Sequence, residues 1–328
     1  MEISLRLSNL TDDEFRFITQ IGVERVDVHN PLLVPGYEEQ GEVYLRNVPE
    51  VLRKIRDWGL EVASFRFSSI RNALFGRPEG EKEVENLIRL IRVLGRNDAC
   101  LIQVDFHGAR ISPGRVPGRY RKAQRGGYVM DAFSLERMRA EIRRRDMDSP
   151  YAHHFTESLD PEDHFRNCVG ICRSLAPVLE DSGVKLAIHG DDPPVSEGGL
   201  LPGLTTSEVF LRLFDEVPGE DCGFLFCTGT RYESGVDIYE QIRAFGPRIF
   251  HVHFRNVRGT VPRDGGYEEV MPDDGEMDML EVLRALDGVG YRGSLNPDHF
   301  PLLAGDTEER NAGRAFAVGH TRALLSAL

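Results

Sequence analysis

Residues 185–190 read KLAIHG, residues 223–229 GFLFCTG, residues 248–254 RIFHVHF and residues 293–299 GSLNPDH. Each is a short apolar or β-branched run with a helical pattern after it: TSEVFLRLFDEV, VDIYEQIRAFG, MLEVLRALDGVG and NAGRAFAVGHTRALLSAL, in that order. Upstream, ISLRL (3–7), VERVDVH (23–29), EVASFRF (61–67) and CLIQVDF (100–106) read as four more strands. The amphipathic stretches TDDEFRFITQIG, EVYLRNVPEVLRKIRDWG and EVENLIRLIRVLG lie between them, the first opening on a Thr11/Glu14 capping box. Eight strand–helix units predict a parallel sheet. Eight units in 328 residues predict its closure into a (β/α)8 TIM barrel, an α/β fold spanning 1–328 as a single domain. The competing open, doubly wound sheet lacks its usual sequence features, since no G-x-G-x-x-G follows the first strand and no phosphate-loop pattern occurs anywhere.

Composition narrows the function. With 41% hydrophobic and 28% charged residues the chain is globular, and a net charge of −13 sets it against phosphate backbones and anionic lipid, so nucleic acid and membrane are not expected partners. The charged N-terminus and the lack of any apolar run of about 18 residues predict a cytoplasmic protein. Five cysteines, an odd and scattered set, read as thiols and not as a disulfide framework. Cys100, Cys222, His251 and Trp58 are assigned to packing.

One segment departs from this composition. Residues 107–145 hold eleven of the forty Lys and Arg against three acids. In a barrel this basic island follows strand four, so 107–160 is predicted to be a long insertion at the C-terminal rim. Its Gly-rich part, GRYRKAQRGGYVMDAF, is expected to be a lid whose Arg121 and Arg125 draw in an anion, and RAEIRRRD a surface helix.

The ends of the last four barrel strands carry His189, Cys227, His253 and Asp298, separated by 38, 26 and 45 residues. Each interval is about one βα unit, so the four side chains are predicted to rise around one spot at the barrel mouth, where such enzymes keep their active sites. Taken singly, each has a plainer use: a small buried hydrophobe, a hydrogen-bonded rim histidine, a helix cap. Together, two imidazoles, a thiolate and a carboxylate neutralise one divalent metal ion. The mixed donors suit Mn²⁺, Fe²⁺, Co²⁺ or Zn²⁺ over Mg²⁺ and Ca²⁺. A closed structural zinc site uses similar donors, but the barrel mouth argues for an open one. His29, Asp105 and His107, at the ends of strands two and four, are candidates to touch substrate hydroxyls. Asp191 and Asp192, ahead of two prolines, form a turn and are candidates for orienting a ligand or binding hydroxyls.

At these residues the chain resembles the mannonate dehydratase family, metal-dependent barrels that convert D-mannonate to 2-keto-3-deoxy-D-gluconate. The resemblance is carried by IHGDDPP (188–194) with LPGL after it, FCTGT (226–230), FGPRIFHVHFRN (245–256), GEMDMLEVLRAL (275–286) and NPDH (296–299). It implies that His189, Cys227, His253 and Asp298 bind Mn²⁺ and that His299 is a catalytic acid/base, for which an imidazole titrating near ~6.5 is suited. Removing the proton beside a carboxylate calls for cationic stabilisation, and Arg255, two residues past His253, is predicted to clamp an anionic sugar acid. The chain departs from the family pattern at Gly190 (a Pro in relatives), Asn296 (an Arg) and Ala315 (a Tyr); residues 301–328 contain no tyrosine, so Tyr128 or Tyr267 becomes the candidate substitute.

The expected activity is therefore that of a metal-dependent lyase removing water from a sugar acid, with assembly as a homo-oligomer compatible with it. The rivals are a metal-dependent sugar isomerase or epimerase, disfavoured because strands four, five, seven and eight do not end on Glu ligands, and a non-catalytic metal and sugar-acid binder.

Overall fold

The computed structural model describes residues 1–328 except 39, 68–69, 107–115, 145–158, 196–203 and 218. Its strands are β1 (Glu2–Arg6), β2 (Arg25–Val28), β3 (Glu61–Phe67), β4 (Leu101–Asp105), β5 (Arg119–Ala123), β6 (Val129–Ser134), β7 (Lys185–His189), β8 (Cys222–Cys227), β9 (Ile249–His253), β10 (Val257–Arg258), β11 (Gly266–Glu269) and β12 (Ser294–Asn296). Eight of them close a parallel barrel in the order β1-β12-β9-β8-β7-β4-β3-β2. The eight strands read from the sequence are these eight.

The helices pack their apolar stripes on the barrel's outer face. Helix Asp12–Gln20 starts at Thr11, whose side chain accepts from the Glu14 amide as a capping residue should. The Glu14 carboxylate does not complete the box. It accepts from the Ser8 amide and forms a buried ion pair with Arg314 at 2.6 Å, fixing the last helix, Asn311–Leu325, against the first loop. Trp58 packs on Phe15 as expected, and Cys222 is buried, whereas Cys100 is exposed.

Inside the barrel, a polar layer floors the mouth. The fully buried Asp27 accepts hydrogen bonds from Ser4 (2.6 Å), Ser64 and Asn296, and His251 Nε2 lies 3.3 Å from it. A buried carboxylate is tolerable only with such partners. His251 is thus a polar member of this layer as well as a packing residue.

The insertion after β4 contributes the antiparallel hairpin β5–β6. It joins β10–β11, which follows β9, in a four-stranded sheet of order β10-β11-β6-β5. Helix Leu135–Arg144 follows, with Arg143 exposed on it as predicted for a surface helix. Among the described residues, no helix is long and apolar enough to cross a membrane.

Candidate functional site

Register explains why residues far apart in sequence meet. Cys227 pairs with His253 across β8 and β9, and His189 pairs with Leu225, two residues before Cys227 and therefore on the same face. The ligand atoms of His189, Cys227 and His253, all buried, lie within 4.8 Å of one another. Asp298, two residues past β12, brings Oδ2 to 3.4 Å from His253 Nδ1. The four residues singled out at strand ends therefore do converge.

Local sequence accounts for the shape of this corner. After Cys227, Thr228 Oγ1 donates to the carbonyls of His253 (3.1 Å) and Arg255 (2.6 Å), tying the end of β8 to the chain leaving β9. Gly229 has no side chain because the Arg255 guanidinium lies against it; a Cβ there would stand 2.4 Å from Arg255 Cζ. Thr230 donates its amide to Cys227 Sγ at 3.5 Å. The run CTGT is thus one candidate ligand and three residues that position its neighbours.

The donors are in a state that suits a cation. His189 Nδ1 donates to the Gly190 carbonyl, which leaves Nε2 as the lone-pair donor. Burial, reinforced by Arg6 and His189, pushes the His253 imidazole well below its ordinary value and keeps it neutral. Its Nδ1 is buried without a hydrogen-bond partner among the described residues. Burial opposes the Asp298 charge, but Arg6 and His299 outweigh it and hold the carboxyl below the usual range. Two imidazoles, a cysteine sulfur and a carboxylate are a donor set for a transition metal.

His299 stands beside these residues. Alternation along a strand would turn neighbours 298 and 299 apart, but β12 has already ended and His299 adopts a left-handed backbone, φ 58°. That conformation costs a non-glycine residue about 1–2 kcal/mol. It brings Nε2 to 3.4 Å from Asp298 Oδ2 and Nδ1 to 2.9 Å from Glu269 Oε1. Burial works against an imidazolium here, yet Asp298 and Glu269 together outweigh it and raise His299 above its ordinary value.

Glu269 comes from β11, and the inserted sheet supplies more. Asp192 accepts from Arg119 of β5 and from the Tyr267 hydroxyl of β11 at 3.0 Å, and Arg255 reaches it at 3.3 Å. Asp192, Glu269 and His299 lie within 4.8 Å of one another. The two guanidiniums on Asp192 make this an ion-pair network rather than a second cation site. Arg255 is buried, held by Glu233 at 2.6 Å as well as by Asp192 and Thr230. Asp191 is buried nearby, its amide donating to the Leu204 carbonyl.

Of the other predicted residues, His29 lies with its ring 6.0 Å from that of His253, and Arg66 links it to Asp105. Arg121 and Arg125 are half exposed on the inserted sheet, paired with Asp131 at 2.9 Å and Asp273 at 3.0 Å, and are not gathered with the metal-ligand types. Tyr128 bonds Asp274 at 2.8 Å, away from Asp192, so Tyr267 is the tyrosine in the network. His107 lies outside the described residues.

Sequence reasoning did not find Arg6, Arg119 or Glu269. A signal existed for Arg6, an arginine inside the otherwise apolar run ISLRL. Its Nη1 is 2.5 Å from Asp298 Oδ1 and its Nη2 3.3 Å from His253 Nε2.

Barrel, buried donors and an adjoining histidine–carboxylate pair define a (β/α)8 enzyme with a candidate transition-metal site at its C-terminal mouth. A profile described as D-mannonate dehydratase (UxuA) matches residues 143–328, more than half of the chain. The chain belongs to the D-mannonate dehydratase family, whose reaction is a hydro-lyase dehydration of a sugar acid. A mannonate dehydratase of Thermotoga petrophila is 29% identical over 293 residues, 87% of this chain and 73% of that protein. The crystal structure of mannonate dehydratase from Streptococcus suis serotype 2 superposes with a TM-score of 0.81 at 24% identity, covering all of this chain and 94% of that one. The barrel is shared more widely: D-psicose 3-epimerase from Clostridium cellulolyticum H10 gives a TM-score of 0.65 at 15% identity, covering 99% of each chain.

Proposed function

We propose that this protein dehydrates an aldonic acid of the D-mannonate type to its 2-keto-3-deoxy product with one divalent metal, Mn²⁺ by family resemblance and Fe²⁺, Co²⁺ or Zn²⁺ by donor chemistry. His189, Cys227, His253 and Asp298 would hold the ion. When bound, it supplies a positive charge for the oxygens beside the carbon that loses its proton. The observation that carries this reading is the buried His/Cys/His cluster with Asp298 at its edge and the His299–Glu269 pair alongside.

His299 serves as the proton donor. Flanked by two carboxylates, its imidazolium is favoured, and the departing C3 hydroxyl needs a proton to leave as water. Glu269 holds the ring by Nδ1 and so fixes the direction of Nε2. Tyr267, Asp192 and Arg119 form the wall between the barrel mouth and the inserted sheet. Arg255, locked by Glu233 and Asp192, positions this wall and the β8 corner. Its guanidinium is taken up by these two carboxylates and by Thr230.

Loss of the C2 proton to a base, and of the C3 hydroxyl as water with the proton His299 donates, leaves an enol; C3 then gains a proton while the enol oxygen gives one up, and the ketone forms. The test is turnover of a sugar-acid panel in D₂O by the Mn²⁺-supplemented protein. A 2-keto-3-deoxy product with deuterium at C3 is expected. Exchange at C2 with every hydroxyl retained would make the protein an epimerase and overturn the assignment.

A further inference from the structure

Arg6 closes β1 at the rim, and its main chain is held there by Arg314, which donates to the Arg6 carbonyl at 3.1 Å. Asp298 is its only ion-pair partner among the described residues. The Arg6 Nε–H is buried without a hydrogen-bond acceptor among those residues. A cavity of about 440 Å³ opens beside it, lined by Arg6, Asp298, His299 and Arg310 and by the acids Glu308 and Glu309. Small-molecule sites usually occupy about 300–1,000 Å³, so the space suits a six-carbon acid.

Charge counting gives this corner a requirement. A divalent ion is neutralised by one thiolate and one carboxylate, and the carboxylate is Asp298. Arg6 then has no anion of its own, while Arg255 is engaged with Glu233 and Asp192, Arg119 with Asp192 and Arg314 with Glu14; Arg310, also on the cavity wall, donates to the Phe300 carbonyl at 2.7 Å. Two neighbouring cations are best reconciled by an anion that meets both.

We propose that Arg6 is the carboxylate anchor of the site, receiving the acid group of the sugar acid from the cavity with its Nε–H and an Nη–H in a two-point fork. The inference rests on the dehydratase reading for its ligand class and goes beyond it in assigning which residue selects an acid over a neutral sugar. The same residue crowds two of the metal-ligand types, so it also sets how tightly they hold a cation.

Two titrations test this with Arg6→Met and Arg6→Lys. The first is calorimetric binding of Mn²⁺ alone; the second is equilibrium binding of D-mannonate, D-gluconate and the neutral alditol mannitol to the Mn²⁺-loaded protein. In Arg6→Met, Mn²⁺ should bind at least as tightly as in the wild type. Its Kd for the acids should rise by at least about tenfold, the scale of a charged hydrogen bond, with mannitol unchanged. Arg6→Lys keeps the charge without the fork and should fall between. Acid affinities within twofold of wild type in Arg6→Met would overturn the proposal, as would a joint loss of Mn²⁺ and acid binding in both variants. Wild-type acid binding that depends on Arg6 without a 2-keto-3-deoxy product would overturn the dehydratase reading and leave the anchor standing. Dehydration with KM unchanged in Arg6→Met would do the reverse.

Discussion

Replacing Glu269 by Gln tests whether the inserted sheet reaches into the chemistry. The carboxylate is buried, with 5% of its side chain exposed, and its Oε1 is 2.9 Å from His299 Nδ1. Burial opposes its charge, but His299, Arg255 and Arg119 outweigh this and hold it below the usual carboxylate range, so it is the anionic half of the pair. A hydrogen bond with a charged partner contributes about 1.5–3 kcal/mol, or roughly 10- to 150-fold in rate if its loss falls on the transition state. Gln retains an acceptor oxygen, and Asp298 remains at 3.4 Å as a second anion for the ring, so the loss belongs in the lower half of that range. We expect kcat to fall about 10- to 30-fold, with KM within about threefold and bound metal unchanged. Steady-state kinetics on a sugar acid, with metal content by mass spectrometry, reads all three. Retention of more than half of kcat would refute the claim that Glu269 orients His299, and loss of metal would make it a support of the ligand cluster instead.

The remaining predictions concern the ligands, the basic insertion and the histidines. Cys227→Ser exchanges a soft thiolate for a weak neutral donor and should lower Mn²⁺ or Zn²⁺ affinity at least about tenfold; unchanged metal content in both Cys227→Ser and His253→Ala would remove the site. Neutralising Arg121 and Arg125 together should change KM less than about twofold, since each is half exposed and paired with an acid, whereas Arg119→Ala leaves Asp192 with fewer partners and should cost about tenfold or more in kcat/KM. Equal effects would mean that the outer face of the sheet meets substrate. His164, buried on helix Pro161–Ser182, is pushed by burial from its ordinary 6.5 down to about 4. The unfolded chain therefore binds the extra proton first: stability is full above about pH 6.5 and declines toward pH 4, by about 3 kcal/mol from this residue. Urea unfolding of His164→Gln should show a shallower acid slope by that amount, and parallel curves would refute the reasoning.

The barrel and the meeting of four metal-ligand residue types at its mouth were readable because both follow from short-period rules. Apolar runs alternating with helical patterns fix strand order, and a parallel barrel puts strand ends on one rim, so His189, Cys227, His253 and Asp298 declared themselves by position. His299 was legible by resemblance, but its orientation was not, since alternation fails where a strand has already ended and the backbone turns left-handed. Glu269, Tyr267 and Arg119 enter the site through the pairing of β6 with β11, between segments more than 130 residues apart. No local pattern encodes that pairing. The basic island pointed toward the right insertion, yet charge density could not distinguish Arg119, mostly covered beside Asp192, from exposed Arg121 two residues on. Arg255 looked like a free clamp because sequence does not display Glu233 and Asp192 closing around it.

The four-stranded sheet also governs how this protein can be recombined. Its halves come from two different barrel loops, and β6 is covered on one side only by β11. A loop exchange with a relative that moved the β5–β6 hairpin alone would leave one long strand edge without its partner, an invitation to pairing between molecules. Transplanting residues 116–134 together with 257–277 moves a matched edge, along with Arg119, Tyr267 and Glu269. For shuffling substrate preference among such barrels, the heritable unit is the pair of loops and not either one.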